Sequence, residues 1–262
     1  MKNYVLDNSK IESDDESRRR ISNMPEIEFE KYKTAGAYHW SQISRNPRRR
    51  NSFVLARYLN MIKLLEQATE KSSNRKVLDL GCGDGVLAYF VAEKGYEAFG
   101  VDPSELAIQF ANQRASKLVN FSVGNAYDLK FEDGFFDYCI SSDVIEHVND
   151  PVQLMTELKR VTRSGGKVIL STPIKLTEKP LDPMHVVEWF PEEFKALTAQ
   201  VFSEVEFHYS HPVALMEISA YHILNKPIPK YLMNLLSLIK NPFEGFESDF
   251  RYMALQYAVC RV

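Results

Sequence analysis

The sequence predicts an α/β fold, doubly wound around a mainly parallel sheet of seven strands. Short apolar runs alternate with helix-like segments between residues 76 and about 171, and further strand-like segments follow at 205–209 and 251–262. A glycine-rich turn comes directly after the first apolar run. Strands that alternate with helices, and that are apolar enough for burial on both faces, are typical of a parallel sheet covered by helices on each side.

The composition is that of a globular protein. The chain has 262 residues, 45% of them hydrophobic and 26% charged, which excludes a disordered chain. Its 32 Lys and Arg residues against 35 Asp and Glu residues give a net charge of −3. This balance argues against a nucleic-acid partner, because neutralising phosphates usually requires a basic domain. The length predicts one large domain, alone or with appendages.

The cysteines and the lack of long apolar stretches predict a cytoplasmic protein. Cys82, Cys139 and Cys260 form no CxxC pair, which argues against a disulfide framework or a thiolate metal site. Residues 1–20 lack the apolar core of a secretory signal. No segment approaches the ~18 uninterrupted apolar residues of a membrane span.

Residues 1–70 are expected to form a polar leader followed by N-terminal helices. Residues 1–25 are polar and of mixed charge, which indicates a solvated, frayed segment. Residues 26–45 are rich in aromatic side chains. Residues 51–70 carry apolar side chains at helical spacing, which predicts an amphipathic helix that ends at the polar residues 71–74.

Residues 71–262 are expected to form the main domain. The first five strands are predicted at 77–80, 97–101, 119–123, 135–141 and 167–171. Helices are predicted between them at 86–94, 104–117 and 151 to about 163, and a further helix from residue 191. Gly95 suits a C-terminal helix cap, Ser104 an N-terminal cap and Pro151 a first helical turn.

The glycine-rich turn predicts a ligand site. Gly81, Gly83 and Gly85 follow the first strand and precede a helix, where the backbone can turn tightly and approach a ligand. The spacing is GxGxG, whereas dinucleotide-binding folds carry GxGxxG. Asp79 lies at the end of the strand, and a carboxylate there suits a ligand with a positive group better than a pyrophosphate.

Two later segments fit a nucleoside in the same site. Asp102 ends the second strand, where a carboxylate can accept hydrogen bonds from both ribose hydroxyls. Gly124-Asn125-Ala126 follows the third strand, where a short polar side chain could meet an adenine edge.

On these residues the chain resembles the class I S-adenosylmethionine-dependent methyltransferases, over residues 76–210 and 251–262. The resemblance implies a Rossmann-like fold, S-adenosyl-L-methionine as cofactor and methyl transfer as activity. The cofactor-binding residues that it implies are Asp79, Gly81, Cys82, Gly83, Asp102, Pro103, Asn125, Ala126 and Ser142. Two alternatives remain open, a nicotinamide-dependent dehydrogenase and a protein that binds the cofactor without turnover.

The loop after the fourth strand is expected to carry the catalytic residues, His147 and Asp143. Its sequence, DVIEHVNDP, looks like the loop of methyltransferases that act on small molecules. Imidazole titrates near neutral pH, so His147 could remove the proton of a hydroxyl acceptor. We therefore expect a small-molecule acceptor, with a hydroxyl oxygen favoured. The alternative is that His147 only fixes the loop.

A metal-assisted reaction is the competing hypothesis. Asp143, Glu146, His147 and the later His185 resemble the pattern of metal-dependent small-RNA 2′-O-methyltransferases, and in part that of metal-binding O-methyltransferases of ubiquinone biosynthesis. The chain has Asp143 where those enzymes have Glu, and it lacks their RNA-binding appendages. We therefore expect no metal.

Two outer segments are expected to set substrate specificity. Tyr38-His39-Trp40, followed by arginines at 45 and 48–50, resembles the leader of methyltransferases linked to polysaccharide or quinone pathways. It could close over the cofactor as a lid, and its arginines could meet a phosphate or carboxylate of the substrate or lie in solvent. The apolar insertion at about 212–250 is expected to form a helical cap over the acceptor. The alternatives are a homodimer surface or a site for a hydrophobic acceptor.

Overall fold

The computed structural model describes residues 30–69, 75–115, 117–178, 180, 182–222 and 226–262. The predicted leader at 1–25 and the predicted helix break at 71–74 lie outside these ranges. None of the helices within them combines the length and the apolar character that crossing a membrane requires.

Seven strands form one mixed sheet. They are β1 (Lys76–Leu80), β2 (Glu97–Asp102), β3 (Val119–Val123), β4 (Phe136–Ser142), β5 (Thr162–Pro173), β6 (Val205–Pro212) and β7 (Met253–Arg261). Their order across the sheet is β3-β2-β1-β4-β5-β7-β6. Strands β1 to β5 pair in parallel, and β7 runs antiparallel to both β5 and β6. The predicted fold class is confirmed.

Nine helices are present in the described ranges. They are α1 (Glu30–Ala35), α2 (Tyr38–Gln42), α3 (Ser52–Ala68), α4 (Val86–Glu93), α5 (Glu105–Ala115), α6 (Pro151–Val161), α7 (Pro191–Thr198), α8 (Val213–Ala220) and α9 (Ile228–Leu236). A single 3₁₀ turn, Ile145–His147, follows β4. The predicted cap residues have their expected places. Gly95 is left-handed after α4, the Ser104 hydroxyl accepts the Ala107 amide N–H, and Pro151 opens α6.

Both faces of the sheet are buried, because neighbouring residues of a strand point to opposite sides. In β5, Ile169 packs in one apolar cluster together with α3, whereas Val168 and Leu170 pack in a second cluster together with α6. Strand β1 divides in the same way between Val77 and Leu78. This arrangement leaves the carboxyl ends of the parallel strands as the edge where a site can open.

Strand β5 begins five residues earlier than the sequence predicts. The sequence predicts that the preceding helix continues to about residue 163, but Thr162 pairs with Phe136 of β4. The Gly165 amide N–H also donates to the carbonyl oxygen of Val262, at 2.8 Å. Pairing with residues that are distant in the sequence therefore overrides the local signals that end a helix at this position.

The core predicts one large effect on stability. Leu158 of α6 is fully buried against the second cluster. We expect Leu158→Ala to lower the free energy of unfolding by about 2–5 kcal/mol, because the substitution removes apolar contacts and leaves a cavity. Urea denaturation measures this change. The control is Leu118→Ala at a half-exposed leucine, which should change the free energy by less than about 0.5 kcal/mol; similar losses in both variants would contradict the packing of α6.

Candidate functional site

A cavity of about 570 Å³ opens at the carboxyl ends of the parallel strands. Its walls come from the ends of β1, β2 and β4, from the segment after β3, and from α1, α2 and α3. The predicted site residues that line it are Asp79, Gly81, Cys82, Gly83, Asp102, Pro103, Asn125, Ala126, Ser142, Asp143 and His147. The structure thus brings all of these residues together, whereas their individual roles remain predictions.

The glycine turn after β1 can be built only with glycine. Gly81 and Gly83 have φ values of 73° and 54°, in the left-handed region. A Cβ atom on Gly81 would lie 2.3 Å from a methyl carbon of Val144, and one on Gly83 would lie 2.2 Å from the Tyr32 hydroxyl. The turn is therefore shaped both by its own backbone and by the cavity wall opposite.

Asp102 holds this turn against the end of β2. Its carboxylate accepts the backbone N–H of Gly83 at 2.9 Å and that of Ser104 at 2.9 Å. Burial raises the pKa of Asp102, and the two amides oppose the rise. Asp102 lines the cavity, at the position where a ribose is expected.

Asp79 is buried beneath the turn and fits a cationic ligand group. Neither of its carboxylate oxygens has a hydrogen-bond partner within ordinary limits among the described residues. Burial raises its pKa to about 8, an effect that the nearby Ala88 amide offsets only in part. A buried carboxylate without a strong partner is costly. The ammonium group of a methionine moiety would lower this cost, so the donor set fits S-adenosylmethionine.

Asn125 lies at the predicted adenine position, but its side-chain oxygen already accepts a hydrogen bond. Its Oδ1 atom accepts the backbone N–H of Tyr127 at 2.8 Å and closes a turn after β3. The Asn125 amide nitrogen and the backbone of Ala126 are therefore the groups that this segment can present to an adenine edge. Both residues line the cavity.

Asp143 is engaged in an ion pair with Arg57 of α3. Its other carboxylate oxygen accepts the Ser171 hydroxyl at 2.8 Å, and Ser171 in turn accepts a hydrogen bond from the Ser142 hydroxyl at 3.0 Å. Burial alone would lower the pKa of Arg57, but the charge of Asp143, together with the interactions of Tyr58 and Tyr257, raises that pKa on balance. With its charge neutralised, Asp143 is suited to fixing the loop after β4 rather than to removing a proton.

The sequence reasoning missed Arg57. The one signal for it is a cation within the buried stretch of an amphipathic helix, next to Ala56 and Tyr58, which are both buried. Its ionic partner lies 86 residues further along the chain, so the pairing is not visible locally. Tyr32, which was not predicted as a site residue, also lines the cavity, together with Tyr38 of the predicted lid.

His147 has a defined tautomer. Its Nδ1 atom lies 2.9 Å from the carbonyl oxygen of Met184. A carbonyl oxygen only accepts hydrogen bonds, so Nδ1 carries the proton and Nε2 is the basic nitrogen. Burial lowers the pKa of His147 below its ordinary value of 6.5, and the neighbouring His185 lowers it further. His147 is therefore neutral at neutral pH and able to accept a proton.

Three of the four residues in the metal hypothesis come together. Ligand atoms of Glu146, His147 and His185 all lie within 4.8 Å of one another. Glu146 is fully buried, and its Oε1 atom has no hydrogen-bond partner among the described residues. His185 Nδ1 lies 2.6 Å from the carboxylate of Glu188. The fourth residue, Asp143, lies outside this cluster, and its carboxylate binds Arg57 instead.

The aromatic N-terminal segment packs directly on the glycine turn. His39 contacts the carboxylate of Asp84 through both its backbone N–H, at 3.0 Å, and its Nδ1 atom, at 2.9 Å. The indole N–H of Trp40 donates to the carbonyl oxygen of Asp84 at 2.7 Å. This contact places Tyr32 and Tyr38 over the cavity, while the lid motion remains a prediction. The arginines at 45 and 48–50 do not line the cavity.

The apolar insertion also lies elsewhere than expected. No described residue of 212–250 lines the cavity. The structure therefore gives no support to the predicted role of this insertion as a cap over the acceptor.

Comparison with known proteins identifies the central part of the chain. Residues 78–170 match the family described as "Methyltransferase domain". A probable S-adenosylmethionine-dependent methyltransferase of Mycolicibacterium smegmatis is 30% identical over 164 residues, which cover 60% of this chain and 63% of that protein. The chloroplastic tocopherol O-methyltransferase of Arabidopsis thaliana is 36% identical over 109 residues, or 39% of this chain and 31% of that protein. The chain thus spans less than two thirds of these relatives.

Solved structures extend the likeness to the whole fold. Phosphoethanolamine N-methyltransferase 2 of Haemonchus contortus, in complex with S-adenosyl-L-methionine, superposes with a TM-score of 0.61 at 19% identity, over 88% of this chain and 57% of that one. A SAM-dependent methyltransferase of Archaeoglobus fulgidus has a TM-score of 0.55 at 19% identity, over 79% and 94%. At these identities the likeness concerns the fold alone. Residues 78–170 therefore form a methyltransferase domain, within the fold of the class I S-adenosylmethionine-dependent methyltransferases.

Proposed function

We propose that the protein transfers a methyl group from S-adenosyl-L-methionine to a hydroxyl oxygen of a small molecule. The observation that carries this proposal is the neutral His147, which lines the same cavity as the glycine turn and Asp102. When bound, S-adenosylmethionine supplies an activated methyl group. The remaining requirements, alignment and proton removal, fall to side chains of the cavity.

The cofactor would be held by three groups from neighbouring strand ends. Asp102 would accept hydrogen bonds from the ribose hydroxyls, Asp79 would face the ammonium group, and the glycine turn would admit the chain between them. Asp102 and Asp79 are both buried, so their interactions with a ligand are weakly screened by solvent.

Proton removal would fall to His147. A hydroxyl oxygen that accepts a methyl group must lose its proton, and a neutral imidazole can take it at neutral pH. The Met184 carbonyl fixes the ring with its basic nitrogen at Nε2. The likeness to an O-methyltransferase of Arabidopsis supports an oxygen acceptor.

The charges of the cavity favour an uncharged acceptor. Arg57 is paired with Asp143, and Lys31 lies 3.4 Å from Asp182. Among the described residues, the lysine and the arginine of the lining are thus balanced by carboxylates, which disfavours a phosphate or an RNA backbone. The remaining walls include the rings of Tyr32 and Tyr38. Such surroundings suit an aromatic or otherwise apolar molecule that carries a hydroxyl group.

The second candidate function is metal-assisted methyl transfer, which the cluster of Glu146, His147 and His185 favours. One carboxylate and two imidazoles could hold Mn²⁺, Mg²⁺ or Zn²⁺. The two candidates make opposite use of His147, as a base or as a ligand, so they can be distinguished by experiment.

The first test concerns the cofactor pocket. We expect Asp102→Asn to weaken S-adenosylmethionine binding more than roughly tenfold, because each charge-assisted hydrogen bond contributes about 1.5–3 kcal/mol. Calorimetry measures the affinity, and circular dichroism checks that the fold is retained. The control is Asp133→Asn at an exposed carboxylate outside the cavity, which should bind normally. Unchanged affinity of the Asp102 variant would contradict the pocket assignment.

The second test concerns the base. We expect His147→Gln to lower the turnover of labelled methyl transfer into hydroxyl compounds of a metabolite extract by about 10²–10⁴-fold, while cofactor binding is retained. The wild-type rate should decline only below about pH 6.5, because the lowered pKa keeps His147 neutral above it. Full activity of the variant, or an acid limb that the variant retains, would remove His147 from the reaction.

The third test concerns the metal. Metal analysis of protein purified without chelator should find no stoichiometric Mn²⁺, Mg²⁺ or Zn²⁺ if His147 is the base, and added chelator should leave the rate unchanged. Stoichiometric metal that is lost in Glu146→Gln and in His185→Gln would instead favour the metal-assisted reaction. His208→Gln, at a histidine of β6 that does not line the cavity, is the control.

A further inference from the structure

Helix α9 (Ile228–Leu236) is attached to the protein by its polar side. Asn234 is buried, accepts the backbone N–H of Ser52 at 2.9 Å and donates to the carbonyl oxygens of Pro47 and Arg50. One turn later, the buried Ser237 receives the Arg50 guanidinium through both its hydroxyl, at 2.6 Å, and its carbonyl oxygen, at 3.0 Å. Hydrogen bonds therefore anchor α9 to residues 47–52. A helix on a globular protein normally buries apolar side chains at such a contact.

The apolar side of the same helix faces solvent. Its exposed side chains recur at helical spacing and continue just past the end of the helix: Tyr231, Leu232, Leu235, Leu236, Leu238 and Ile239. Ile239 is 93% exposed, and the other five are between 42% and 56% exposed. Large apolar side chains that are scattered singly need no explanation, but a continuous stripe of them marks an interaction surface.

Cationic residues flank this stripe in the sequence and also occur in the loop to which α9 is hydrogen-bonded. Residues 218–243 contain three lysines, at 226, 230 and 240, and no acidic residue. The loop to which α9 is hydrogen-bonded carries four arginines, at 45 and 48–50. Residues 43–56 likewise contain no acidic residue. All of these cations except Arg50 are exposed. Six exposed cations thus occur in these two contacting segments of a protein whose net charge is −3.

We propose that this face, formed by α9, residues 237–240 and the arginine loop 45–50, docks on an anionic lipid surface. A helix that is apolar on one side and basic around it is suited to lie in the headgroup region of a membrane. The apolar stripe would enter the acyl boundary, and the cations would meet lipid phosphates, each contributing on the order of fivefold to binding. An RNA partner would use the cations but not the apolar stripe.

The docking face adjoins the cavity through α3. Asn234 binds the first residue of α3, Ser52, and Val54 and Arg57 of the same helix line the cavity. A membrane-bound protein would therefore hold this wall of the cavity close to the lipid surface. The docking itself does not depend on the proposed reaction and can be measured without it.

Vesicle co-sedimentation tests the proposal. We expect the full chain to bind vesicles of phosphatidylcholine with about one-third phosphatidylglycerol, to bind pure phosphatidylcholine weakly, and to be released by about 0.5 M NaCl. The variant Leu235→Glu/Leu236→Glu should bind at least roughly tenfold more weakly. The variant Arg48→Gln/Arg49→Gln should bind roughly ten- to thirtyfold more weakly.

Matched controls separate this face from general effects. Leu118→Glu changes an equally exposed leucine elsewhere, and Lys117→Gln/Lys130→Gln removes two exposed cations; both should bind like the wild type. Thermal denaturation checks the fold of every variant. Absence of binding to anionic vesicles, or equal binding by all variants, would overturn the proposal. A dimer in sedimentation velocity that Leu235→Glu/Leu236→Glu converts to monomer, without vesicle binding, would assign the face to a second copy instead.

Discussion

The interaction on which the site depends is the contact of the Asp102 carboxylate with the backbone amides of Gly83 and Ser104. It joins the turn after β1 to the end of β2, so the two strand ends that face the cavity are tied to each other. The next residue of the turn, Asp84, binds His39 and Trp40, and through them the N-terminal helices are placed over the same cavity. The shape of the cofactor pocket and the position of its cover thus follow from one buried carboxylate and one glycine turn.

The side of the cavity that carries the proposed base depends on the ion pair of Asp143 with Arg57. Asp143 adopts a left-handed backbone conformation, with a φ value of 52°, that is uncommon for a residue other than glycine. Arg57 and Ser171 bind its two carboxylate oxygens, which offsets the strain and fixes the loop that carries Glu146 and His147. Because Arg57 belongs to α3, a helix outside residues 78–170, the orientation of the proposed base depends on a segment beyond the part that matches the methyltransferase family.

The predictable features are those with a local signal. Apolar runs and cap residues predict the strands and helices, and the glycine turn with Asp79 and Asp102 predicts where the cofactor pocket lies. Pairings between distant segments have no such signal. Arg57 could be recognised only as a cation in a buried helix, and the part of the Met184 carbonyl in fixing His147 could not be inferred at all. The predicted start of β5 was wrong for the same reason, because Thr162 begins the strand by pairing with Phe136 across the sheet.

The arginine loop shows how structure changes the meaning of a motif. By composition, its arginines suited a substrate phosphate, but the structure ties Arg50 to Ser237 and leaves the loop outside the cavity. Polar attachment of α9 through Asn234 and Ser237 is what frees its apolar side, because hydrogen bonds satisfy the buried contact without consuming the leucines. An ordinary amphipathic helix would bury its leucines and expose its polar side. The arginine loop and α9 do not close the cavity, and in the proposed docking they decide against which surface the cavity is held.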